Sequence, residues 1–508
     1  MRFVLGALAA AGWMHVHAAL PSPHRVNPVV LENEKPGTRA WLSGWESHGQ
    51  VEGYTSEVSV GPGAQVRFHV SLNPAGRYRI EIYRLGWYQG LGGRLYACLP
   101  SCSTDEPGSP QPVPPFDPAT GYLDAGWPVT DVLDVGTTWL SGYYLGVIRV
   151  TAGTDAGAAY RVPFIVRAPA SRHSAILVQA STNTWEAYNA WGGRSLYYPD
   201  QQGLVDNHVS FDRPYDVMPM SDASEQRFEL PLLRFLEREG YDVSYQADSD
   251  TDAHPGSLRE HRLVIVSGHD EYWTQGQRNA FDAAVRDGVN LAFMGGDIGY
   301  WRIRYENNRR TIVEYRRYTR DPLGITDKFR RLTPPEPECR VEGVEFDDTD
   351  GSASIGSNPP LAVADSTDPW FSGTGFRAGD AMPHLAGGEW DNTVAGCTPT
   401  GTTVLFDYQG PPSPDEVTRY DAPSGAVVFS ASSLDFNFGL DDPPGYTAEL
   451  GWQDVRLQRF MRNAFDAMTR PGKAPSAGIV SLLTGPGGAG GPRRSRAWSC
   501  WTARRAMC

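Results

Sequence analysis

The run Leu263-Val264-Ile265-Val266-Ser267-Gly268-His269-Asp270-Glu271-Tyr272-Trp273-Thr274 decides the fold of the larger part of this chain. Four consecutive aliphatic residues read as a strand buried on both faces, and the polar run after them reads as a strand-end loop. Thr274 then opens a helix. With Gln277 it matches a capping box, and Phe281, Ala284 and Val285 form one apolar face before Gly288. Leu291 to Met294 is the next strand. Strand, loop, helix and strand at this spacing predict a parallel sheet wrapped by helices.

Working outward, the same pattern extends over residues 171–468. Ala175 to Val178 is an earlier buried strand, and Pro231 opens a helix that Gly240 closes. Val404 to Phe406 and Ala426 to Phe429 add strands, and Val455 to Met468 closes the domain as an amphipathic helix. Asp321 to Pro383, rich in Pro, Gly and Asp, reads as an insertion or as long active-site loops. Upstream of Ala168-Pro169-Ala170 the period changes to two. Val66, Phe68, Val70 and Leu72 alternate with Arg67, His69 and Ser71, while Tyr78, Ile80 and Ile82 repeat the pattern. Val147 to Val150 and Val162 to Val166 supply the last strands. These half-buried strands predict an immunoglobulin-like β-sandwich over residues 27–168, with Leu99 to Thr120 as a long loop on it. The expected fold class is therefore multidomain α and β.

Composition bounds the function. The 508 residues carry 45 Lys+Arg against 59 Asp+Glu, a formal charge of −14, which argues against a surface that tracks nucleic acid. Arg2, the apolar run Phe3 to Met14 and the small residues before Ala19 predict a secretory signal peptide over residues 1–18. That run is shorter than the roughly 20 residues that cross a bilayer, and no later segment is long and apolar enough. An exported chain meets oxidising conditions, in which its six cysteines can pair. Cys98–Cys102, Cys339–Cys397 and Cys500–Cys508 is the arrangement that proximity suggests. No pair has CxxC spacing, which argues against a thiolate zinc site. Residues 470–508, rich in Gly, Pro and Arg, read as a disordered tail. The reading leaves room for a homo-oligomer.

Three polar clusters follow strands. The first is His269-Asp270-Glu271, in which His269 and Glu271 can point the same way from an extended segment, one to bind a metal and the other to handle protons. It could also be a salt-bridged loop tying strand to helix. The second runs from Asn183 through Tyr188 to Gly193, with an aromatic core segment as the plainer alternative. The third, Gly295-Gly296-Asp297-Ile298-Gly299, has the spacing of a strand-to-helix nucleophile elbow with Asp297 at the nucleophile position. Asp297 could attack covalently or serve as a hydrogen-bonding group on a tight turn. Glu389, in Gly387-Gly388-Glu389-Trp390, could be a further acid or an ordinary surface turn.

Several of these stretches are familiar together. Tyr83-Arg84-Leu85-Gly86-Trp87-Tyr88, Ser141-Gly142-Tyr143-Tyr144, Asn183 to Asn189, Gly268 to Trp273 and Gly295 to Trp301 resemble the large subunit of N,N-dimethylformamidase and its family, from about Asn27 to Met468. The resemblance implies a β-sandwich followed by a glutamine-amidotransferase-like α/β domain that lacks the usual cysteine nucleophile. It also implies a mononuclear non-haem iron, ferric, held by two tyrosines and a glutamate, in a hydrolase of small amide-like substrates. Glu271 falls on the glutamate ligand, Tyr188 on one tyrosine, and Tyr144 is chosen for the other from its Ser-Gly-x-Tyr context, although it shares a strand face with Ile148 and Val150. His269 falls on a polar catalytic residue, Glu389 on an acid behind the ligands, and Arg316 stands where the family has a lysine. Asp297 replaces what is usually asparagine.

Phenolate and carboxylate oxygens are hard donors suited to ferric iron. Such an ion could polarise an amide carbonyl and acidify a water while His269 or Glu389 moves a proton to the leaving amine. Two other readings compete. Glu271, Asp297 and Glu389 could form a carboxylate set acting on glycosides, which carboxylate separation would reveal. The chain could also be a non-catalytic cell-surface or matrix-binding protein whose aromatic motifs are packing, for which a shallow cleft would speak.

Overall fold

Glycine and proline divide the first third of the chain into strands. In the computed structural model, which describes residues 27–197, 206–317, 319–347, 358–411, 413–445 and 450–470, the strands Gln65–Leu72, Gly76–Leu85, Gly142–Ala152 and Ala158–Val166 form where the alternation predicts them. The expected signal peptide, the C-terminal tail and the pairing of Cys500 with Cys508 lie outside the described residues. Gly142–Ala152 runs antiparallel between Ala158–Val166 and Gly76–Leu85 in a seven-stranded sheet. A three-stranded sheet, Val51–Thr55 with Gln65–Leu72 and Asp131–Asp134, packs on it.

The period-two pattern predicts one buried face, and the structure buries both. Ile80, Ile82, Tyr144 and Ile148 pack with Phe68 between the two sheets. Tyr83, Leu85, Tyr143, Leu145 and Val147 on the opposite face join the core of the following α/β region. A covered second face asks for apolar residues on both sides, which is why the alternation fades along these strands. The stretch Leu99 to Thr120 is largely irregular, with one short strand, Glu106–Gly108. Cys98–Cys102 and Cys339–Cys397 are both disulfide-bonded.

In the α/β region, Val243–Ala247, Ile176–Ala180, Leu263–Ser267, Asn290–Met294 and Val427–Ser430 lie side by side and parallel. The sheet then continues antiparallel through Asp415–Asp421, Thr403–Tyr408, Leu361–Val363 and Ala381–Met382. Strand Leu361–Val363 comes from the stretch expected to be an insertion, so part of that stretch is sheet. The capped helix Gln275–Arg286 forms as the sequence indicates, with Thr274 accepting from the Gln277 N–H. Leu230–Arg238 carries Pro231 in its first turn and stops before Gly240 at φ 76°. Val455–Thr469 buries Leu457, Phe460, Met461 and Phe465, each burial stabilising by about 1.5–3 kcal/mol.

The described residues are thus a mixed α/β structure, mostly sheet with few helices. Among them no helix is long and apolar enough to cross a membrane. The strand order places Ile176–Ala180 between Val243–Ala247 and Leu263–Ser267. The chain therefore crosses from this strand to one neighbour and then back past it to the other, and such a reversal of direction places ligand sites at the carboxyl ends of the strands.

Candidate functional site

The loops leaving the carboxyl ends of three parallel strands converge. Ile176–Ala180 feeds helix Thr182–Tyr188, which ends on Tyr188. Leu263–Ser267 feeds His269 and Glu271, and Asn290–Met294 feeds Asp297. Glycine permits this convergence. A Cβ at Gly295 would stand 1.9 Å from the Gly268 carbonyl oxygen, and one at Gly296 would stand 2.5 Å from that of Glu389. The Glu271 N–H donates to Thr184 Oγ1 at 2.9 Å and the Trp301 N–H to the Glu271 carbonyl at 2.9 Å, so the acidic loop is fixed from both sides.

His269, Glu271 and Asp297 are all buried, and each presents a donor atom within 4.8 Å of the other two. His269 Nε2 lies 3.0 Å from Glu389 Oε2 and 3.5 Å from Glu271 Oε2, while Nδ1 lies 3.1 Å from Glu225 Oε2. The Tyr188 ring is 5.3 Å from the imidazole, centroid to centroid. Burial disfavours the imidazolium, but Glu389 and then Glu225 and Glu271 outweigh it and raise the His269 pKa well above its ordinary value. Burial pushes Glu271 up to about 7, against the pull of His269 and with the push of Glu389. Glu389 itself is held below the usual carboxylate range, because His269 overcomes its burial. Burial, with Glu271 and Glu389 beside it, raises the Tyr188 phenol well above its ordinary range.

The polar bookkeeping of this pocket does not close. Tyr188 Oη, Glu271 Oε2 and Asp297 Oδ1 are buried without a hydrogen-bond partner, and His269 Nε2 and Glu389 Oε2 meet at 3.0 Å as an ion pair without hydrogen-bond geometry. Each such atom costs about 1–3 kcal/mol. Carboxylate, phenol and imidazole donors left unsatisfied in one place fit a hard metal cation, which would satisfy them together. Cys339, Glu345 and Cys397 also cluster, but their sulfurs are bonded to each other.

Tyr144 is placed elsewhere. It lies in the sandwich core against Trp139, Phe164 and Tyr96, and its hydroxyl donates to the Leu140 carbonyl at 2.7 Å. The tyrosine brought to Tyr188 is Tyr197, stacked on it at 4.5 Å. Burial, Glu389 and Glu271 push the Tyr197 phenol up to about 12. Arg316 stands one residue back. It donates to Tyr272 Oη at 3.1 Å and to the Leu196 carbonyl at 2.6 Å, and pairs with Glu314. The elbow differs from expectation as well. After Asp297 the chain enters strand Trp301–Glu306 rather than a helix, because Gly299 turns it at φ 65° against the Trp273 ring.

Sequence reasoning overlooked Glu225 and Tyr197. The Gly192-Gly193 turn that sends the chain back over Tyr188 was the available signal for Tyr197. Glu225 stands in a short 3-10 turn, Glu225–Phe228, with no local pattern to mark it.

A family model described as N,N-dimethylformamidase beta subunit-like, C-terminal, matches residues 79–448. The chain belongs to this family. The match spans the strand-end loops and includes Tyr188, Tyr197, Glu225, His269, Glu271, Asp297 and Glu389. No curated protein matches the chain. Among solved structures, a β-glucuronidase from Ruminococcus gnavus in complex with D-glucaro 1,5-lactone aligns at 11% identity, covering 48% of this chain, with a TM-score of 0.14. The chain spans 54% of that protein's length, and so slight a likeness carries no argument.

Proposed function

We propose that this protein is an exported, iron-dependent hydrolase that cleaves the C–N bond of a small amide-like substrate. The observation that carries the reading is the set of buried donor atoms without hydrogen bonds on Tyr188, Glu271 and Asp297, gathered beside the His269–Glu389 ion pair. Family membership and the oxygen-rich donor set support ferric iron, with Tyr188 and Glu271 as ligands. When bound, such an ion would supply Lewis acidity to an amide carbonyl and to water. The chain's own groups would do the rest. His269, protonated and braced by Glu225 at Nδ1, has Nε2 facing the cluster and can give a proton to the departing amine. Glu389, held ionised beside it, can take the proton that water loses as its oxygen bonds to the carbonyl carbon. The C–N bond then breaks, leaving an acid and an amine. Tyr197 would cover Tyr188 from solvent.

The finer fold reading belongs to the same proposal: an immunoglobulin-like sandwich followed by an amidotransferase-like α/β domain. Two disulfides suit an oxidising compartment. Three carboxylates gathered around one histidine, rather than facing each other across a groove, weigh against the glycosidase alternative.

Metal analysis with a visible spectrum on purified protein tests the proposal, with Tyr188→Phe and Glu271→Ala alongside. Near-stoichiometric iron and a tyrosinate-to-iron absorption band, both lost in the variants, are expected, together with amine release from small N-substituted formamides. A colourless protein that takes up no iron would overturn the reading.

A further inference from the structure

We propose that Asp297 is a direct ligand of the metal, an oxygen donor beside Tyr188 and Glu271; this rests on reading the site as a metal centre. Tyr144, the sequence's choice for the remaining oxygen, is committed to the Leu140 carbonyl in the sandwich core. Asp297, by contrast, is buried against Glu389 with its Oδ1 unbonded, and one of its carboxylate oxygens lies within 4.8 Å of donor atoms of His269 and Glu271.

The backbone is built to hold it there. Asp297 sits at φ 48°, a left-handed conformation that Asp and Asn tolerate better than most residues but that still carries strain. Its N–H donates to Asp391 Oδ1 at 2.9 Å, which pins the turn. Gly295 and Gly296 let this turn touch the Gly268 and Glu389 carbonyls, contacts that any side chain would forbid. The close packing fixes the distance between Asp297 and both neighbouring acidic loops.

Charge points the same way. Glu225, Glu271, Glu389 and Asp297 surround His269, and Arg227 lies 3.9 Å from Glu225 as a second cation at the edge of the set. Arg316 is turned toward Glu314 and Tyr272, and Arg330 pairs with Glu338 and Glu345. A multivalent cation would let buried carboxylates in such excess stay ionised together. Asp297 meets Glu389 rather than the imidazole, and among the described residues it makes no ion pair to a cation.

The test measures iron affinity by chelator competition, and thermal midpoints with and without ferric citrate, for wild type, Asp297→Asn, Asp297→Gly, Tyr197→Phe and Tyr188→Phe. Asparagine and glycine both accept the left-handed backbone, so neither variant should disturb the turn. Both should melt at or above the wild-type midpoint without metal, because one of several carboxylates crowded into a buried site has gone. Both should bind iron at least about tenfold to a hundredfold more weakly. In Asp297→Asn the tyrosinate band should move to longer wavelength, since the iron has lost an anionic donor. Wild-type affinity and an unshifted band in both Asp297 variants would overturn the assignment, as would a loss confined to Tyr197→Phe. Iron uptake that Tyr188→Phe abolishes and Asp297→Asn leaves intact sinks this inference alone, whereas a wild type that takes up no iron sinks the metal centre with it.

Discussion

Replacing Glu237 with Gln should destabilise the folded chain by about 3–5 kcal/mol, the usual cost of breaking a buried ion pair from one side. Arg84, near the end of a sandwich strand, and Glu237, on helix Leu230–Arg238, are both fully buried. They meet through two parallel hydrogen bonds of 2.9 and 2.7 Å. Glu237 also accepts from Asn33 Nδ2 at 2.8 Å and Tyr245 Oη at 3.1 Å, and Arg84 donates to the Ser141 carbonyl at 2.9 Å. In Glu237→Gln the shape survives and the guanidinium keeps its charge without its hydrogen-bonded counter-ion. A folded body of about 440 residues unfolds with an entropy of about 0.9 kcal/mol per kelvin, so the midpoint should fall by about 3–5 °C. Arg84→Met combined with Glu237→Gln should recover part of the loss, because the orphaned cation is removed while the Gln carbonyl accepts from Asn33 Nδ2 and its amide can donate to Tyr245 Oη. Calorimetry on the two single variants and the double variant gives the coupling. A single-variant cost below about 1 kcal/mol, or strictly additive effects, would refute the argument that this pair clamps sandwich to helix.

Glu32 gives a pH dependence. Although burial opposes it, Lys35, Arg94 and Arg84 lower its pKa from 4.5 to about 2. A lowered folded pKa contributes stability above the unfolded value, at most about 3 kcal/mol here, and that contribution fades as pH falls from about 4.5 toward 2. Urea unfolding should show wild type more stable than Glu32→Gln at pH 7, with the gap closing in acid; a constant gap would contradict the ion pairing. Gly295→Ala, whose new methyl would meet the Gly268 backbone, should cost about 1–3 kcal/mol or more and strip the site of metal; normal metal content in the variant would show the close contact to be dispensable. Tyr144→Phe should lose only about 1 kcal/mol for its bond to Leu140 and leave the iron absorption band unchanged. Loss of that band would return Tyr144 to the site.

The strands and capped helix around His269 were legible because each is specified locally: four apolar residues, a polar loop, then Thr274 and Gln277 three apart. For the same reason the sequence could nominate His269, Glu271, Asp297 and Glu389, acids and a histidine in glycine-flanked loops, and the structure gathers these four. Residues that arrive through tertiary packing were not legible. Tyr144 and Tyr197 look alike in sequence, and only the stacking of one in the sandwich core and of the other on Tyr188 separates them. Glu225 reaches His269 from 44 positions away. Strand Val243–Ala247 was missed because Ser244, Tyr245 and Gln246 interrupt its apolar pattern, although all five residues are buried. The direction of the chain after Asp297 is set by a glycine packing on Trp273, a contact across two loops that no local pattern announces.

The Cys339–Cys397 bond joins positions 58 apart, and Glu389 lies inside that ring, eight positions before its end. Closing a ring of this size removes roughly 4 kcal/mol of chain freedom from the unfolded state. The acid beside His269 is thus tethered by a covalent strap that forms only where thiols are oxidised. Protein produced in a reducing host would carry the same sequence with a slackened strap. Batches from the two sources should then differ first in the geometry around Glu389, so the route of production becomes a variable in any assay of this site.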